Sequence, residues 1–356
     1  MIRKYFLGGT TAKGYYRFYD ELINNLDRVM YVEGGFTSIV HPTLEKLANE
    51  YEKQGEVGCV YNHIEPTMLE AIVIPDKRLA VIDRSKANVK RLSFPKLFEN
   101  VIYIGEGFDY EYLKKNQDRL TQSRKDIQDL YQQAFENFKK AHDAHEEVEK
   151  IYIQHLNFDK ANSETEKLKQ SIFRATKLNK ESSVDHRYLG AATPEGPMDF
   201  VLDLTSDVEK RIFIKGRSGT GKSTMLKKLV DESIDRGIDV EVYHCGFNPE
   251  SLDMAIFREL GIAVFDATSP HEHEPQRSND EIFDVYELFV EGSPDDEHAE
   301  KIIELKNNYK MLTQQATECL RQIQDRQRSF ESIYQEALDD EFMKGVAARI
   351  YNWIEH

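Results

Sequence analysis

The chain is written twice. Sliding it by 182 residues lays its N-terminal half on its C-terminal half, without a gap over residues 6–61. Leu7, Gly8, Thr11, Gly14, Phe18 and Leu22 fall on Leu189, Gly190, Thr193, Gly196, Phe200 and Leu204. Gly34, Leu44, Lys46, Leu47, Glu50, Gly55, Val60 and Tyr61 fall on Gly216, Leu226, Lys228, Leu229, Glu232, Gly237, Val242 and Tyr243. These are 14 identities, where unrelated segments of that length give roughly three or four. With small gaps the match continues through Asp83 and Asp266 to Leu156 and Leu338. Whatever one half folds into, the other must be able to fold into as well. The 356 residues thus divide into domains 1–180 and 181–356, each of ordinary size.

Both copies share one coarse plan. An entry segment leads to an apolar strand (Val29–Glu33; Arg211–Lys215) and a helix. A second strand (Val57–Asn62; Asp239–His244) and a third (Leu79–Asp83; Ile262–Asp266) follow, and a further apolar stretch (Val101–Ile104; Tyr286–Val290) suits a fourth. Apolar runs alternating with helices predict a mostly parallel α/β sheet with helices on both faces. Each copy ends in a long polar helical extension, 110–180 and 296–356. In the first, Leu113, Leu120, Ile127, Ala134, Ala141 and Val148 recur every seven residues, a coiled-coil-like stripe with a charged outside. That stripe suits a helix packed on the sheet or on its twin; it also suits a self-association or protein-partner arm. Residues 157–183 are polar and are expected to include the linker between the copies.

Only the second copy carries Gly216-Arg217-Ser218-Gly219-Thr220-Gly221-Lys222-Ser223, followed by Thr224. It stands between the apolar run Ile212–Ile214 and a helical pattern with Met225, Leu226, Leu229 and Val230 on one face. The residue types suit a phosphate cradle. Glycines let backbone N–H groups turn inward, and the helix N-terminus adds unpaired donors. This stretch resembles the P-loop of the P-loop NTPase superfamily. The resemblance implies two tandem P-loop NTPase-like domains and ATP as ligand. Residues 216–224 would line the phosphates, Lys222 would reach the β- and γ-phosphates, and Ser223 would ligate Mg²⁺. Asp266, ending an apolar strand, resembles the Walker B aspartate that holds the metal. The whole-chain arrangement is also similar to a group of uncharacterised bacterial tandem P-loop ATPases, which brings no substrate with it.

The first copy has lost this chemistry. Thr37 and Ile39 replace Gly219 and Gly221, Val40 replaces Lys222, His41 replaces Ser223, and Pro42 replaces Thr224. β-branched residues resist the positive φ that glycine accepts, and proline has no N–H to offer. A retained fold with a lost site is expected. Asp83, the twin of Asp266, persists nonetheless, which leaves a structural role open for both acids. His271, His273 and Glu274 have no His or Glu counterpart in the first copy's 85–90 stretch. His271 and Glu274 are therefore candidates to orient a water, act as base or hold an acceptor, against the alternative of a polar surface loop. Asp253 reads as a helix-start residue or a base, with the former favoured.

Composition narrows the function classes. A net charge of −16 disfavours a nucleic-acid binder. No apolar run near 18 residues exists, so no membrane partner is expected, and the chain reads as cytoplasmic. Cys59, Cys245 and Cys319 form no metal spacing and no even disulfide set. A guanine-specific N-K-x-D is absent, which favours ATP over GTP. Three activities stay open: ATP hydrolysis at the second copy beside an inactive first copy, phosphotransfer from ATP to a small molecule or nucleotide, and nucleotide binding without turnover.

Overall fold

A computed structural model describes residues 1–85 and 97–356. Most of the first-copy stretch compared above with His271–Glu274 lies outside the described residues.

Each half forms a six-stranded sheet. The first contains β1 (Ile2–Tyr5), β2 (Arg28–Glu33), β3 (Val57–Tyr61), β4 (Leu69–Ile74), β5 (Leu79–Asp83) and β6 (Glu99–Tyr103), in the order β1-β3-β4-β5-β2-β6. The second contains β7 (Val184–Tyr188), β8 (Lys210–Lys215), β9 (Val240–His244), β10 (Leu252–Phe257), β11 (Ile262–Asp266) and β12 (Glu281–Asp284), in the order β7-β9-β10-β11-β8-β12. The two orders are the same, so the repeat read in the sequence is a repeat of topology. β4 and β10 run antiparallel to both neighbours, and the other pairings are parallel. The sheets are therefore mixed.

One expectation about an element is corrected. Tyr286–Val290 is not a strand: residues 285–289 make a helical turn, because Asp284 caps it by accepting from the Tyr286 and Glu287 amides at 2.9 and 3.1 Å. The fourth strand of the second sheet lies just before it. Residues 157–183, expected to include the linker, also hold the helix Phe158–Phe173 of the first extension.

The strands alternate, and the alternation sorts their two faces. Val29, Tyr31, Ala80 and Ile82 of the first sheet join Phe213, Met254, Ile256 and Phe265 of the second in one cluster. The short helices Tyr19–Asn24 and Val201–Leu204 contribute to it. The long helices thus cover one face of each sheet rather than both; the other face belongs to a core shared by the halves. A pseudo-twofold relates them. Phe6 and its twin Tyr188 exchange backbone hydrogen bonds at 3.2 and 2.9 Å.

Helices α1 (Thr37–Tyr51), α2 (Gln117–Ile153), α3 (Phe158–Phe173), α4 (Lys222–Asp235), α5 (Ala299–Glu336) and α6 (Asp340–Glu355) complete the frame. α2 and α5 are twins and pack antiparallel on each other. Asp126 lies 3.8 Å from Arg326, while the His145 and Tyr309 rings are 5.5 Å apart. The apolar stripe is filled within the chain, with Ala134 and Phe138 against Ala316, Leu320 and Ile323. Beyond this pair the chain crosses over. α3, from the first copy, buries Leu168, Ile172 and Phe173 against Ile212 and Leu226 of the second. α6, from the second copy, buries Val346, Ile350 and Ile354 against Met30, Val40 and Leu44 of the first. The halves exchange their last helices, so a division at residue 180 does not separate the packed bodies.

This exchange makes Ile350→Ala destabilising for the opposite half. Truncating a 1 % exposed isoleucine costs about 2–4 kcal/mol. Native-state hydrogen exchange should lose more protection in β2 and β3 than in β9; equal loss in both sheets would contradict the exchanged packing.

Candidate functional site

β8 runs into the loop Gly216–Gly221, and α4 begins at Lys222. Gly219 and Gly221 have φ of +74° and +87°, a region that side chains with a Cβ avoid. The loop therefore curls ahead of the helix and points the helix N-terminus into a cleft. Thr220 stiffens it by donating Oγ1 to the Arg217 carbonyl at 2.6 Å.

Three of the expected site residues meet here. β11 lies beside β8 with Ile214 opposite Asp266. Asp266 Oδ2 consequently stands 3.5 Å from Lys222 Nζ, which also donates to the Arg217 carbonyl at 2.8 Å. Asp266 Oδ1 accepts from the Thr268 amide at 3.0 Å. Ser223 Oγ accepts from the Leu252 amide at 2.9 Å. A cation, a hydroxyl and a carboxylate thus sit at the mouth of a loop rich in amide donors, an arrangement suited to a phosphate with a hard cation.

The histidine loop is bound differently. His271 Nδ1 and His273 Nε2 lie 2.9 and 3.0 Å from the two carboxylate oxygens of Asp199. Asp199 ends the hairpin Gly190–Asp199. Burial pushes its carboxyl up, but the His271 hydrogen bond, the charges of His271 and His273 and the Val201 amide together outweigh this and hold it at about 2. Burial lowers the His271 pKa, yet Asp199, Asp253 and Asp266 raise it above the usual histidine value. His271 lines the cleft. Glu274 is 74 % exposed and pairs with Lys215 Nζ at 2.7 Å. Lys215 also donates to the Ala267 and His273 carbonyls at 3.0 and 2.8 Å, so it ties the loop to the end of β8.

Asp253 departs from its favoured sequence reading, and three further contacts were not expected. Asp253 lies within β10, which rules out a helix start, and is 8 % exposed. Burial and the nearby Asp266 push its carboxyl up to about 6. Asp199 orients both histidines. Asp295 takes Arg217 at 3.2 Å and the Tyr152 hydroxyl at 2.5 Å. Glu149 of α2 abuts the loop: a Cβ on Gly219 would stand 2.6 Å from the Glu149 carbonyl oxygen. Asp253 carried a signal in its twin Glu70, also an acid. The others are brought in by the helix pair and the hairpin. α2 and α5 wall the cleft, whose volume is about 2140 Å³.

The twin site shows what the substitutions do. α1 begins at Thr37, the twin of Gly219, three residues earlier than α4 begins. The curled loop has become a first helical turn, with Ile39 and Val40 buried. Thr37 Oγ1 donates to Asp83 at 3.0 Å, which gives the persistent acid a structural partner. His41 Nδ1 accepts from the Leu69 amide at 3.1 Å and so does the task of Ser223 Oγ in the other half. The Phe36 ring packs on Tyr334 and Phe330, with centroids 4.7 and 5.3 Å apart. Pro42 is accommodated inside the helix. Among the described residues no helix is long and apolar enough to cross a membrane. No family model, no curated protein and no solved structure matches the chain.

Proposed function

We propose that the chain binds MgATP at residues 216–224 and hydrolyses it, with the first half as a non-binding pseudo-domain. The observation that carries this reading is the contrast between the twins: two left-handed glycines hold one loop open, and a helical turn closes the other. Backbone amides 217–223 and Lys222 Nζ would hold the β- and γ-phosphates, with the α4 N-terminus adding positive potential. Ser223 Oγ and Asp266 form an all-oxygen donor set that fits Mg²⁺, which when bound would neutralise charge on the phosphate oxygens. Attack is in line on the γ-phosphorus. Asp253 and His271 line the same cleft and would orient the attacking water.

A second reading follows from the size of the cleft. Its volume of about 2140 Å³ exceeds the ~300–1,000 Å³ usual for one small ligand. The remaining space, past Asp253 and His271, suits a phosphoryl acceptor, which would make the chain a small-molecule or nucleotide kinase.

Calorimetric titration with a non-hydrolysable ATP analogue and Mg²⁺ should give one site per chain. Two sites would refute the pseudo-domain. Phosphate release without added acceptor supports hydrolysis, turnover only with acceptor supports transfer, and binding without either leaves a nucleotide-binding interaction protein.

A further inference from the structure

Where the first copy's extension meets the second copy, the chain crosses at two related junctions. At one, the Asp109 amide donates to the Ala337 carbonyl at 2.7 Å; at the other, the Glu291 amide donates to the His155 carbonyl at 2.9 Å. The backbones are twins, but the side chains are not. His155, Glu297 and His298 each bring one ligand atom, and these atoms lie within 4.8 Å of one another. The twin positions hold Ala337, Lys115 and Asn116, none of which is a transition-metal ligand of the usual kind. The cluster is therefore not something the crossover itself needs. It occurs at the junction beside the open loop, where Asp295 of the same turn holds Arg217.

The chemistry of the cluster is specific. His155 Nδ1 faces the Glu291 carbonyl at 3.0 Å. A carbonyl only accepts, so in the neutral ring Nδ1 carries the proton and Nε2 presents its lone pair. An imidazole fixed through its other nitrogen by a backbone carbonyl is the usual support of a metal ligand. Nε2 points at Glu297, 3.9 Å from Oε2. The other oxygen, Oε1, accepts from the Ser293 amide at 3.1 Å, which orients the carboxylate. The His298 ring stands at 74° to His155, with centroids 5.8 Å apart. Tetrahedral zinc requires ligand atoms about 3.3–3.5 Å apart. The cluster reaches this by a small rotation of the Glu297 side chain, which is 53 % exposed.

We propose that His155, Glu297 and His298 bind a zinc-class divalent cation, with water in the fourth position, and so clip the end of α2 to the start of α5 behind the loop. Two imidazoles and one carboxylate favour Zn²⁺ over Mg²⁺ or Ca²⁺, which take oxygen ligands. The inference stands apart from the nucleotide reading, since the site binds metal with no nucleotide present.

The test uses the EDTA-treated full chain in nucleotide-free buffer containing millimolar Mg²⁺. Zn²⁺ titrated against a chromophoric chelator should show one tight equivalent, and Co²⁺ should give the intense visible bands of a low-coordinate N/O site. His155→Ala, His298→Ala and Glu297→Gln should each weaken Zn²⁺ binding by about 10–100-fold or more. His142→Ala, in the other candidate cluster of His142, Asp143 and Glu146, should not. Zn²⁺ should raise the melting temperature of the parent chain and not of Glu297→Gln, whose exposed site makes misfolding no explanation. Absence of binding at micromolar Zn²⁺, or binding that all three variants leave unchanged, overturns the proposal.

Discussion

Lys222→Ala should weaken MgATP binding by about 100-fold or more and leave the fold intact. A lysine ammonium on phosphate oxygens makes charge-assisted hydrogen bonds worth about 1.5–3 kcal/mol each. Losing two costs about 3 kcal/mol or more, and each 1.4 kcal/mol is tenfold. The loop remains supported without the lysine. Thr220 still holds Arg217, and Asp266 keeps the Thr268 amide and hydroxyl as donors, at 3.0 and 2.5 Å. No buried acceptor is orphaned, so the melting temperature should shift little. Calorimetry and phosphate release measure the first effect, and thermal unfolding the second. Unchanged affinity together with unchanged turnover in a folded variant would remove residues 216–224 as the phosphate site. Turnover that falls with affinity intact would place Lys222 on the transferring phosphoryl group alone.

The loop is positioned to affect the helices around it. Gly219 packs on the backbone of α2 at Glu149, and Arg217 reaches Asp295 at the approach to α5. α2 and the turn 294–297 that leads into α5 therefore touch one loop, although one belongs to each half of the sequence. In the first half the Ser38 amide of the corresponding loop donates to Glu331, the twin of Glu149, at 3.4 Å. A change in loop charge on binding an anion would be felt first at Arg217–Asp295.

The strands leading into the two loops were legible because each is an unbroken apolar run. Ile212–Ile214 and Ala263–Phe265 are buried on both faces and leave nothing ambiguous. β4 and β10 were not read as strands, since Glu70 and Asp253 interrupt them. Those acids are stable there only through tertiary contacts: Glu70 accepts from the Tyr19 hydroxyl and Asn62 at 2.6 and 2.7 Å. β1 and β7 are polar edge strands, with Arg3 and Lys4 in one and Asp185, His186 and Arg187 in the other. Their pairing partners lie over fifty residues away. The exchange of α3 and α6 leaves no local trace either, because an amphipathic stripe says that a helix is covered and not by what. The histidine loop was found through its absence from the twin, while its partner Asp199 was invisible, being 72 residues from His271 along the chain.

Arg211→Ala should cost about 3–5 kcal/mol of stability, the largest loss expected from a single polar side chain here. The Arg211 and Asp280 side chains are 2 % and 0 % exposed, and the guanidinium donates Nε and Nη2 to the two carboxylate oxygens at 2.8 and 2.5 Å. Asp280 also accepts from the Gln276 and Arg277 amides at 2.8 and 2.9 Å, which closes the segment that begins with the histidine loop. Removing the arginine leaves a carboxylate in the interior without a countercharge. Arg211→Met with Asp280→Asn should recover much of the loss, because the asparagine carbonyl keeps both amides satisfied and no charge remains buried. The pH dependence has a definite sign. The Arg211 hydrogen bonds and the two amides hold the Asp280 carboxyl far below its ordinary value despite its burial. A depressed folded-state pKa stabilises at pH above the unfolded carboxylate value, and that stability is lost as pH falls through and below it. The parent chain should therefore lose stability more steeply than the double variant between about pH 4 and pH 2. Denaturant midpoints measured across that range check it, and parallel slopes would show that the pair stays uncoupled from folding. Because the same carboxylate fixes the segment behind His271 and His273, Arg211→Ala should also loosen both histidines, seen as faster exchange of the 268–277 amides than of β9.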